Sequence, residues 1–238
     1  RGILYGMTLG DGCLNLNKDQ SKKTAGLTIG HSPKQREYLE YKSQLLHSII
    51  GGKSININEY TSFNKQAQKF YTNIQFRKTH KYFRQMYRLL YATGEKRYTR
   101  QTLDYLTDQG LAILYMDDGS GVVCRNKNKT ICGCMTRIST YCSLNEVEII
   151  RDWFKDRYDI DIKFDCDKRN NKYSIRLNTN ESPLLKNTKD LMKMEYSGQE
   201  NIRHDSSRLY TRYNSLNYLF TELARKNQSW DTLLTGKS

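Results

Sequence analysis

Apolar side chains recur along the chain with two different periods, and these periods separate helices from strands. The helical period covers residues 33–50, where Gly51 and Gly52 end it, and residues 144–158; further helices are expected over 78–90 and 182–192. Alternation of apolar and polar side chains is typical of half-buried strands. It is clearest over 70–77 and 172–178, and shorter stretches cover 13–17, 27–31, 55–58, 136–141 and 160–164.

The same order of elements occurs twice. Each half begins with an apolar segment that ends in Asp-Gly: LYGMTLGDG at residues 4–12 and LAILYMDDG at residues 111–119. Each later helix is preceded by a capping-box pattern, Ser32 with Gln35 and Ser143 with Glu146, and Pro33 takes the first helical position. We therefore predict two repeats of helix, hairpin, helix, hairpin, helix, an N-terminal one over 1–107 and a C-terminal one over 108–238.

The net charge of the chain indicates which class of partner it binds. The chain holds 39 Lys and Arg against 25 Asp and Glu, a net charge of +14, and its mean hydropathy is −0.80. Residues 1–107 carry 18 basic and 7 acidic side chains (+11), and the rest carry 21 and 18 (+3). A basic, aromatic-rich chain that can fold is typical of nucleic-acid binding. With no run of 18 apolar residues and no leading apolar segment, we expect neither a membrane-spanning nor a secreted protein.

The cysteines do not form a metal-binding pattern. None lies in a C-x-x-C pair, and the six positions are Cys13, Cys124, Cys132, Cys134, Cys142 and Cys166. This spacing argues against a zinc site and favours free, buried thiols in a reducing compartment. We accordingly expect an intracellular location, in an organelle, a phage-infected cell or the cytoplasm.

The repeated Asp-Gly has a chemical consequence. A carboxylate at the C-terminal end of a buried helix is disfavoured by up to about 1 kcal/mol, so a positive group is expected beside Asp11 and Asp118. If the two apolar helices pack together, Gly6, Gly10 and Ala112 permit a close approach that brings the two aspartates near each other. Such carboxylates repel unless divalent cations bridge them to a substrate phosphate. The pattern therefore predicts a phosphodiester hydrolase.

The pair of motifs resembles the LAGLIDADG homing endonucleases, in the single-chain form with two motifs. LAILYMDDG is a close match, LYGMTLGDG matches through Gly6, Asp11 and Gly12, and HSPKQREYL at 31–39 is similar to the family's strand-to-helix junction. The resemblance implies an α+β fold of two pseudo-symmetric αββαββα repeats. In this fold the motif helices pack at the interface, and antiparallel, saddle-shaped sheets lie in the DNA major groove.

The resemblance also implies an activity and its cofactor. The expected reaction is hydrolysis of both strands of a long double-stranded DNA target, dependent on Mg²⁺ or another divalent cation such as Mn²⁺. The expected protein acts as a monomer and is associated with an intron or an intein.

Metal and water positions follow from the same resemblance. The last acidic residue of each motif, Asp11 and Asp118, is expected to ligate metal and to orient the attacking water. Gly10 and Asp117 precede them and offer backbone carbonyls as additional ligands; for the Asp117 side chain a hydrogen-bonding role at the helix end is favoured over direct ligation. The family often has a Gln that orders water at the end of the second strand, and the matching positions here are His31 and Tyr141.

A basic residue usually follows the last helix-side segment of each half in this family. In the first half the match is Lys96, which could stabilise the charged transition state or activate water. In the second half the expected position holds Ser197, and Lys193 is the nearest substitute. We therefore expect Lys96 and Lys193 to be catalytic, with the second assignment the weaker one.

DNA contacts are expected on the polar faces of the sheets. Arg can pair with guanine, and Asn or Gln can pair with adenine. The candidates for base contacts are Asn15, Asn17, Asn73, Gln75, Arg77, Arg137, Ser139, Ser174, Arg176 and Asn178. His31 and Tyr141, at the water-ordering positions, are also expected to contact the DNA. The lysines at hairpin tips are expected to contact phosphates, which adds affinity without sequence information: Lys22, Lys23, Lys127 and Lys129.

Two other functions are compatible with the same basic surface. One is an RNA-splicing maturase of the same fold, whose partner would include intron RNA, and the other is a cleavage-inactive DNA-binding protein. Because both Asp11 and Asp118 are retained, the endonuclease is favoured over a binder.

Overall fold

The computed structural model of the chain describes residues 1–17, 23–127 and 131–178. These residues belong to two compact units that divide between Leu114 and Tyr115, within a helix that begins at Asp108. The predicted helix over 182–192 lies outside the described residues.

The first unit is built from helices on one face of an antiparallel sheet. Its first strand pairs with the second, the second with the fourth and the fourth with the third, so the second and fourth strands are central. In chain order the elements are α1 (Gly2–Leu9), β1 (Cys13–Leu16), β2 (Ala25–His31), a short 3-10 turn (Pro33–Gln35), α2 (Arg36–Ile50), β3 (Ile57–Asn64), β4 (Lys69–His80), α3 (Lys81–Leu90), α4 (Arg100–Asp104) and α5 (Asp108–Asp118), which continues into the second unit.

The second unit has the same strand topology. Its described elements are β5 (Gly119–Arg125), β6 (Ile131–Cys142), α6 (Leu144–Tyr158), β7 (Lys163–Asp167) and β8 (Lys172–Asn178), and the sheet order is β5-β6-β8-β7. All the strand pairs of both sheets are antiparallel. The predicted α+β class, with antiparallel sheets and a repeated order of elements, is confirmed.

Alternation along the strands decides which face of each sheet is covered. Leu27 and Ile29 of β2 and Ile74 and Phe76 of β4 are buried on one face, and the contacts of these strands with α2 and α3 place the helices over that face. In the second unit Ile138 and Ile175 are buried, and α6 contacts β8. Each such aliphatic or aromatic side chain contributes roughly 1.5–3 kcal/mol by leaving water. The intervening residues, among them Arg77, lie on the opposite face.

Several element boundaries differ from the sequence prediction. The helix expected from residue 78 begins at Lys81, because Lys78 and His80 pair with Leu27 and Ala25 and so extend β4. The strand expected over 55–58 is instead Ile57–Asn64, and its long pairing with β4 explains the extension. The helix α4 was not predicted, and no residue range was predicted for β5, the first strand of the hairpin expected after the second motif.

The two predicted capping boxes have different outcomes. Ser143 accepts a hydrogen bond from the Glu146 amide while the Glu146 carboxylate accepts one from the Ser143 amide, which confirms the box before α6. The Ser32 box is wrong, because the Ser32 side chain makes no cap bond and Gln35 lies against the His31 ring instead. Gly51, with φ +71°, ends α2 as predicted.

Three cysteine side chains are described, and all three are free thiols. Cys142 is buried as predicted, and burial raises its pKa. For Cys13 and Cys166 the expected burial is wrong, because both lie on exposed strand positions. Among the described helices, none is long and apolar enough to cross a membrane.

Candidate active site

The site is organised by the end of α1, and glycine determines how α1 is packed. A β-carbon added at Gly6 would overlap the backbone carbonyl of Gly110 in the first turn of α5, and one added at Gly2 would overlap the Tyr105 carbonyl. Tyr5 stacks on Tyr105 at 5.1 Å between ring centroids. The predicted close approach at Gly6 is therefore present within the first unit, and its partner is Gly110.

Glycine is also required where each motif ends. The Gly12 amide donates to the Met7 carbonyl at 2.9 Å, and a β-carbon at Gly12 would overlap that carbonyl. In the second unit a β-carbon at Gly119 would overlap the Tyr115 carbonyl and ring. Asp11 therefore lies in the short turn between α1 and β1, and Asp118 is the last residue of α5, directly before β5.

Lys96 lies at the C-terminal end of α1. Its ammonium donates to the carbonyls of Thr8, Leu9 and Gly10 at 3.0, 3.0 and 2.7 Å. These carbonyls have no partner within the helix, and an ammonium there complements the negative end of the helix dipole. The positive group expected beside Asp11 is thus Lys96, and the Gly10 carbonyl, a candidate metal ligand, already accepts one of its hydrogen bonds.

His31 stands between Asp11 and the core. It is the last residue of β2, and its side chain is 4% exposed, against 34% for Asp11. Its Nδ1 lies 3.5 Å from the Asp11 carboxylate and 3.2 Å from the Gln35 side-chain oxygen. Burial is incompatible with the predicted DNA contact of His31 and leaves it positioned to act on Asp11.

A lysine that was not predicted completes this arrangement. Lys42 of α2 is fully buried; its ammonium lies 3.1 Å from His31 Nε2 and 4.5 Å from the centre of the Tyr38 ring. An ammonium can only donate, so these partners assign Nε2 as the acceptor and place the proton on Nδ1. Lys42 occupies the inward position of α2 between Leu39 and Leu46, and that charged interruption of an apolar stripe is the sequence signal that could have identified it.

Asp118 and Asp117 end α5. Asp118 is half-buried and is the last helical residue, whereas Asp117 is only 8% exposed. Lys193 and Ser197, predicted to lie near the second site, are outside the described residues.

The residues of the first unit fit a hard divalent cation. Mg²⁺ prefers carboxylate oxygen and keeps part of its water, and the Asp11 carboxylate is partly exposed at a chain turn. A ring N–H that faces a metal-binding carboxylate fixes the orientation of that carboxylate. The ring of His31 faces the Asp11 carboxylate in this way.

The polar face of the first sheet carries most of the predicted base contacts in that unit. Asn73, Gln75 and Arg77 alternate with buried Ile74 and Phe76 along β4. Arg77 lies against Gly26, where a β-carbon would come within 2.8 Å of its Nε. Asn15 is exposed on β1, whereas Asn17 is half-buried, just beyond that strand, and donates to the Thr24 hydroxyl at 3.4 Å.

In the second sheet Arg137 and Arg176 are cross-strand neighbours, and Arg176 pairs with Asp165 at 3.1 Å. Ser139 is half-buried, and Tyr141 is exposed with φ +44° beside an irregularity of β6. Ser174 is 2% exposed, so its burial is incompatible with the predicted base contact.

The predicted phosphate-binding lysines are only partly described. Lys23 and Lys127 are exposed. The residues Lys22 and Lys129, and the side chain of Asn178, lie outside what the structure describes.

Comparison with curated proteins gives local similarity to much longer chains. "Protein RecA" of Mycobacterium gastri is 32% identical over 120 residues, which are 50% of this chain and 26% of that protein. "Protein RecA" of Mycobacterium shimoidei is 27% identical over 172 residues, 68% of this chain and 36% of that protein. The chain thus spans about a quarter to a third of the length of these relatives.

Comparison with solved structures and family profiles covers most of the chain. The homing endonuclease I-WcaI bound to its DNA recognition sequence is 20% identical, with a TM-score of 0.62 over 84% of this chain and 86% of that one, so the fold is shared. Residues 1–185 match the profile of the LAGLIDADG DNA endonuclease family. Since that match includes both Asp-Gly motifs and all the described strands, the chain belongs to the LAGLIDADG DNA endonuclease family.

Proposed function

We propose that this chain is a site-specific endonuclease that hydrolyses both strands of a long double-stranded DNA target. One observation carries the proposal: each of the two motif helices of this family member has an aspartate at its C-terminal end, Asp11 two residues after α1 and Asp118 as the last residue of α5, and a strand begins just beyond it. A protein that only binds DNA has no need for both carboxylates.

The residues of the first unit have distinct roles in this proposal. Asp11 holds a divalent cation, Mg²⁺ or Mn²⁺, which when bound would polarise the scissile phosphate and acidify a water molecule. His31 keeps the Asp11 carboxylate in one orientation, supported by Lys42. Lys96 anchors the end of α1 and supplies a positive charge beside the reacting phosphate.

DNA would lie along the polar faces of the sheets. Arg77, Gln75 and Asn73 are suited to base edges in the major groove, and Arg137 and Arg176 take the corresponding place in the second sheet. Lys23 and Lys127 would contact phosphates.

The setting of the protein is also part of the proposal. One chain carries both aspartates, so a monomer supplies an acidic residue for each DNA strand. The similarity to RecA proteins is confined to 26–36% of their length, which is the pattern expected of an endonuclease module carried within a longer chain, as in an intein.

The decisive experiment is cleavage of a randomised duplex library in Mg²⁺, with sequencing of the ends produced. On the target so identified, Asp11→Asn and Asp118→Asn should each reduce cleavage at least about a hundredfold, while DNA affinity stays within about tenfold, or 1.4 kcal/mol. Asp104→Asn is the matched control, because Asp104 is exposed and forms a surface ion pair with Arg100.

Full activity of both site variants would refute the proposal. Selective binding of one site without cleavage in Mg²⁺ or Mn²⁺ would establish the cleavage-inactive binder instead. Acceleration of intron splicing by the uncleaving variants would establish a maturase.

A further inference from the structure

A basic pocket lies in the first unit, away from the aspartate. Its volume is about 510 Å³, and it is formed by the start of α1, the end of α2 and the first turns of α3. Five cationic side chains line it: Arg1, Lys23, Lys81, Arg84 and Arg88.

The pocket is separate from both the candidate active site and the polar sheet face. Arg1 precedes α1 whereas Asp11 follows it, so about 15 Å of chain at helical rise separates them. His80, which also lines the pocket, shares the parity of Ile74 and Phe76 along β4 and therefore lies on the helix-covered side of the sheet. Arg77 belongs to the other face.

Among the described residues, no carboxylate pairs with the positive charges of this pocket. No acidic side chain occurs among the described lining residues, and none of the five cations is ion-paired within the described part of the chain. The Arg1 guanidinium lies 5.5 Å over the Tyr82 ring. Burial, Lys81 and Lys78 lower the pKa of His80, as expected in a positive environment.

The pocket is also lined by apolar side chains. Leu4 is buried there, and Ile49, Ile50 and Tyr82 present partly exposed apolar surface. A lining that combines apolar and cationic side chains matches the two parts of a nucleotide, because the base can stack or pack against the former while phosphates meet Arg and Lys. A duplex keeps its bases stacked inside, so only an unpaired nucleotide has this shape available.

We propose that this pocket is a second nucleic-acid site, which binds an unpaired nucleotide of a single strand. The base packs against Ile49, Ile50 and Tyr82, and the flanking phosphates pair with Arg84 and Arg88, which are one helical turn apart on α3. The site is independent of cleavage, and its chemistry is shared by single-stranded RNA, single-stranded DNA and a free nucleotide.

The test measures binding of the full chain without Mg²⁺, by anisotropy of fluorescein-labelled 12-mers of one sequence as single-stranded RNA, single-stranded DNA and duplex DNA. Arg84→Gln/Arg88→Gln should weaken binding of at least one single strand by tenfold or more and change duplex binding less than twofold. The salt dependence for the single strand should flatten by about 1.4 in slope, since each lost phosphate contact removes about 0.7.

Two further variants separate charge from folding. Lys34→Gln/Lys53→Gln removes the same charge from exposed positions outside the pocket and should leave single-strand binding within twofold. Arg84→Lys/Arg88→Lys should retain most of the affinity because it keeps both charges. If thermal unfolding shows that the Gln pair does not fold, Lys81→Gln, exposed at the first position of α3, replaces it.

Comparison of the 12-mers and ATP identifies which kind of nucleotide the pocket binds. Stronger binding of the RNA 12-mer than of the DNA 12-mer, or the reverse, names the strand that the pocket takes. Unchanged single-strand affinity in folded Arg84→Gln/Arg88→Gln, or an equal loss for the duplex, would overturn the proposal. Tighter binding of ATP than of either 12-mer would overturn the assignment to a polynucleotide.

Discussion

At the scale of single residues, His31 connects the partly exposed carboxylate of Asp11 to the buried ammonium of Lys42. Because Lys42 lies against Nε2, the proton of the neutral ring is on Nδ1, the atom that faces Asp11 and Gln35. Groups that hold a ligating carboxylate in this way usually affect metal binding or rate more than substrate affinity.

We therefore expect His31→Ala to lower the rate of DNA cleavage by ~10- to 100-fold while duplex affinity changes little. The single-turnover rate should recover in part as the concentration of Mg²⁺ or Mn²⁺ is raised, because in our proposal Asp11 would still bind the cation in this variant but would be less well oriented. His47→Ala on the same helix as Lys42 is the matched control. A loss of duplex affinity as large as the loss of rate would instead favour a DNA contact.

The sequence pointed to the candidate catalytic residues more readily than to the side chains that contact them. Asp11 and Lys96 were recognisable because they belong to local motifs, whereas Lys42 reaches His31 only through the packing of α2 on β2. Gln35 reaches the His31 ring through the short turn after β2, and the sequence had suggested a capping role for it instead. Alternation along β8 put Ser174 on the polar face but could not show how deeply its neighbours cover it.

At the scale of elements, the packing of α1 depends on the absence of a side chain at Gly6. Gly6→Ala forces a β-carbon into the Gly110 carbonyl, so the helices must move apart, and we expect a loss of about 1–3 kcal/mol in the free energy of unfolding. Gly30→Ala is the control, because its β-carbon would lie 3.5 Å from the nearest atom, an ordinary contact. Urea unfolding measures both; equal stability of the two variants would contradict the backbone contact.

The two serines before α2 and α6 provide a second matched pair. Ser143→Ala removes an observed cap bond and should cost ~1 kcal/mol, whereas Ser32→Ala should stay within about 0.5 kcal/mol because Ser32 makes no cap bond. Thermal or urea unfolding of the two single variants measures the difference. A cost at Ser32 as large as that at Ser143 would show that Ser32 caps its helix in solution.

Periodicity predicted the existence of most elements and failed at their ends for physical reasons. The stretch Lys78–His80 suits a helix locally, but its pairing with β2 keeps it in β4. The first and third residues of β5 are Gly119 and Gly121, so this strand begins without the alternation of apolar and polar side chains that predicts a strand. Strand pairing depends on two segments together, so the sequence of one segment alone does not show where its pairing ends.

At the scale of the whole molecule, the two halves share a strand topology but not their charge or their candidate lysines. Residues 1–107 carry a net charge of +11 against +3 for the rest, so the first half should dominate attraction to DNA. Lys96 is hydrogen-bonded at the end of α1. The matching position of the second half holds Ser197, with Lys193 as the nearest substitute.

We therefore expect the two DNA strands to be cleaved at unequal rates. Loss of one positioned cation from a charged transition state costs on the order of 3 kcal/mol, or about a hundredfold in rate, so nicked plasmid should accumulate before linear product. Lys96→Met should slow the faster cleavage and remove much of the difference between the two rates. Because this variant loses three hydrogen bonds at the end of α1, thermal unfolding must first show that it remains folded. Appearance of linear product with no nicked intermediate at early times would mean that Lys193 or another group fully replaces the missing lysine.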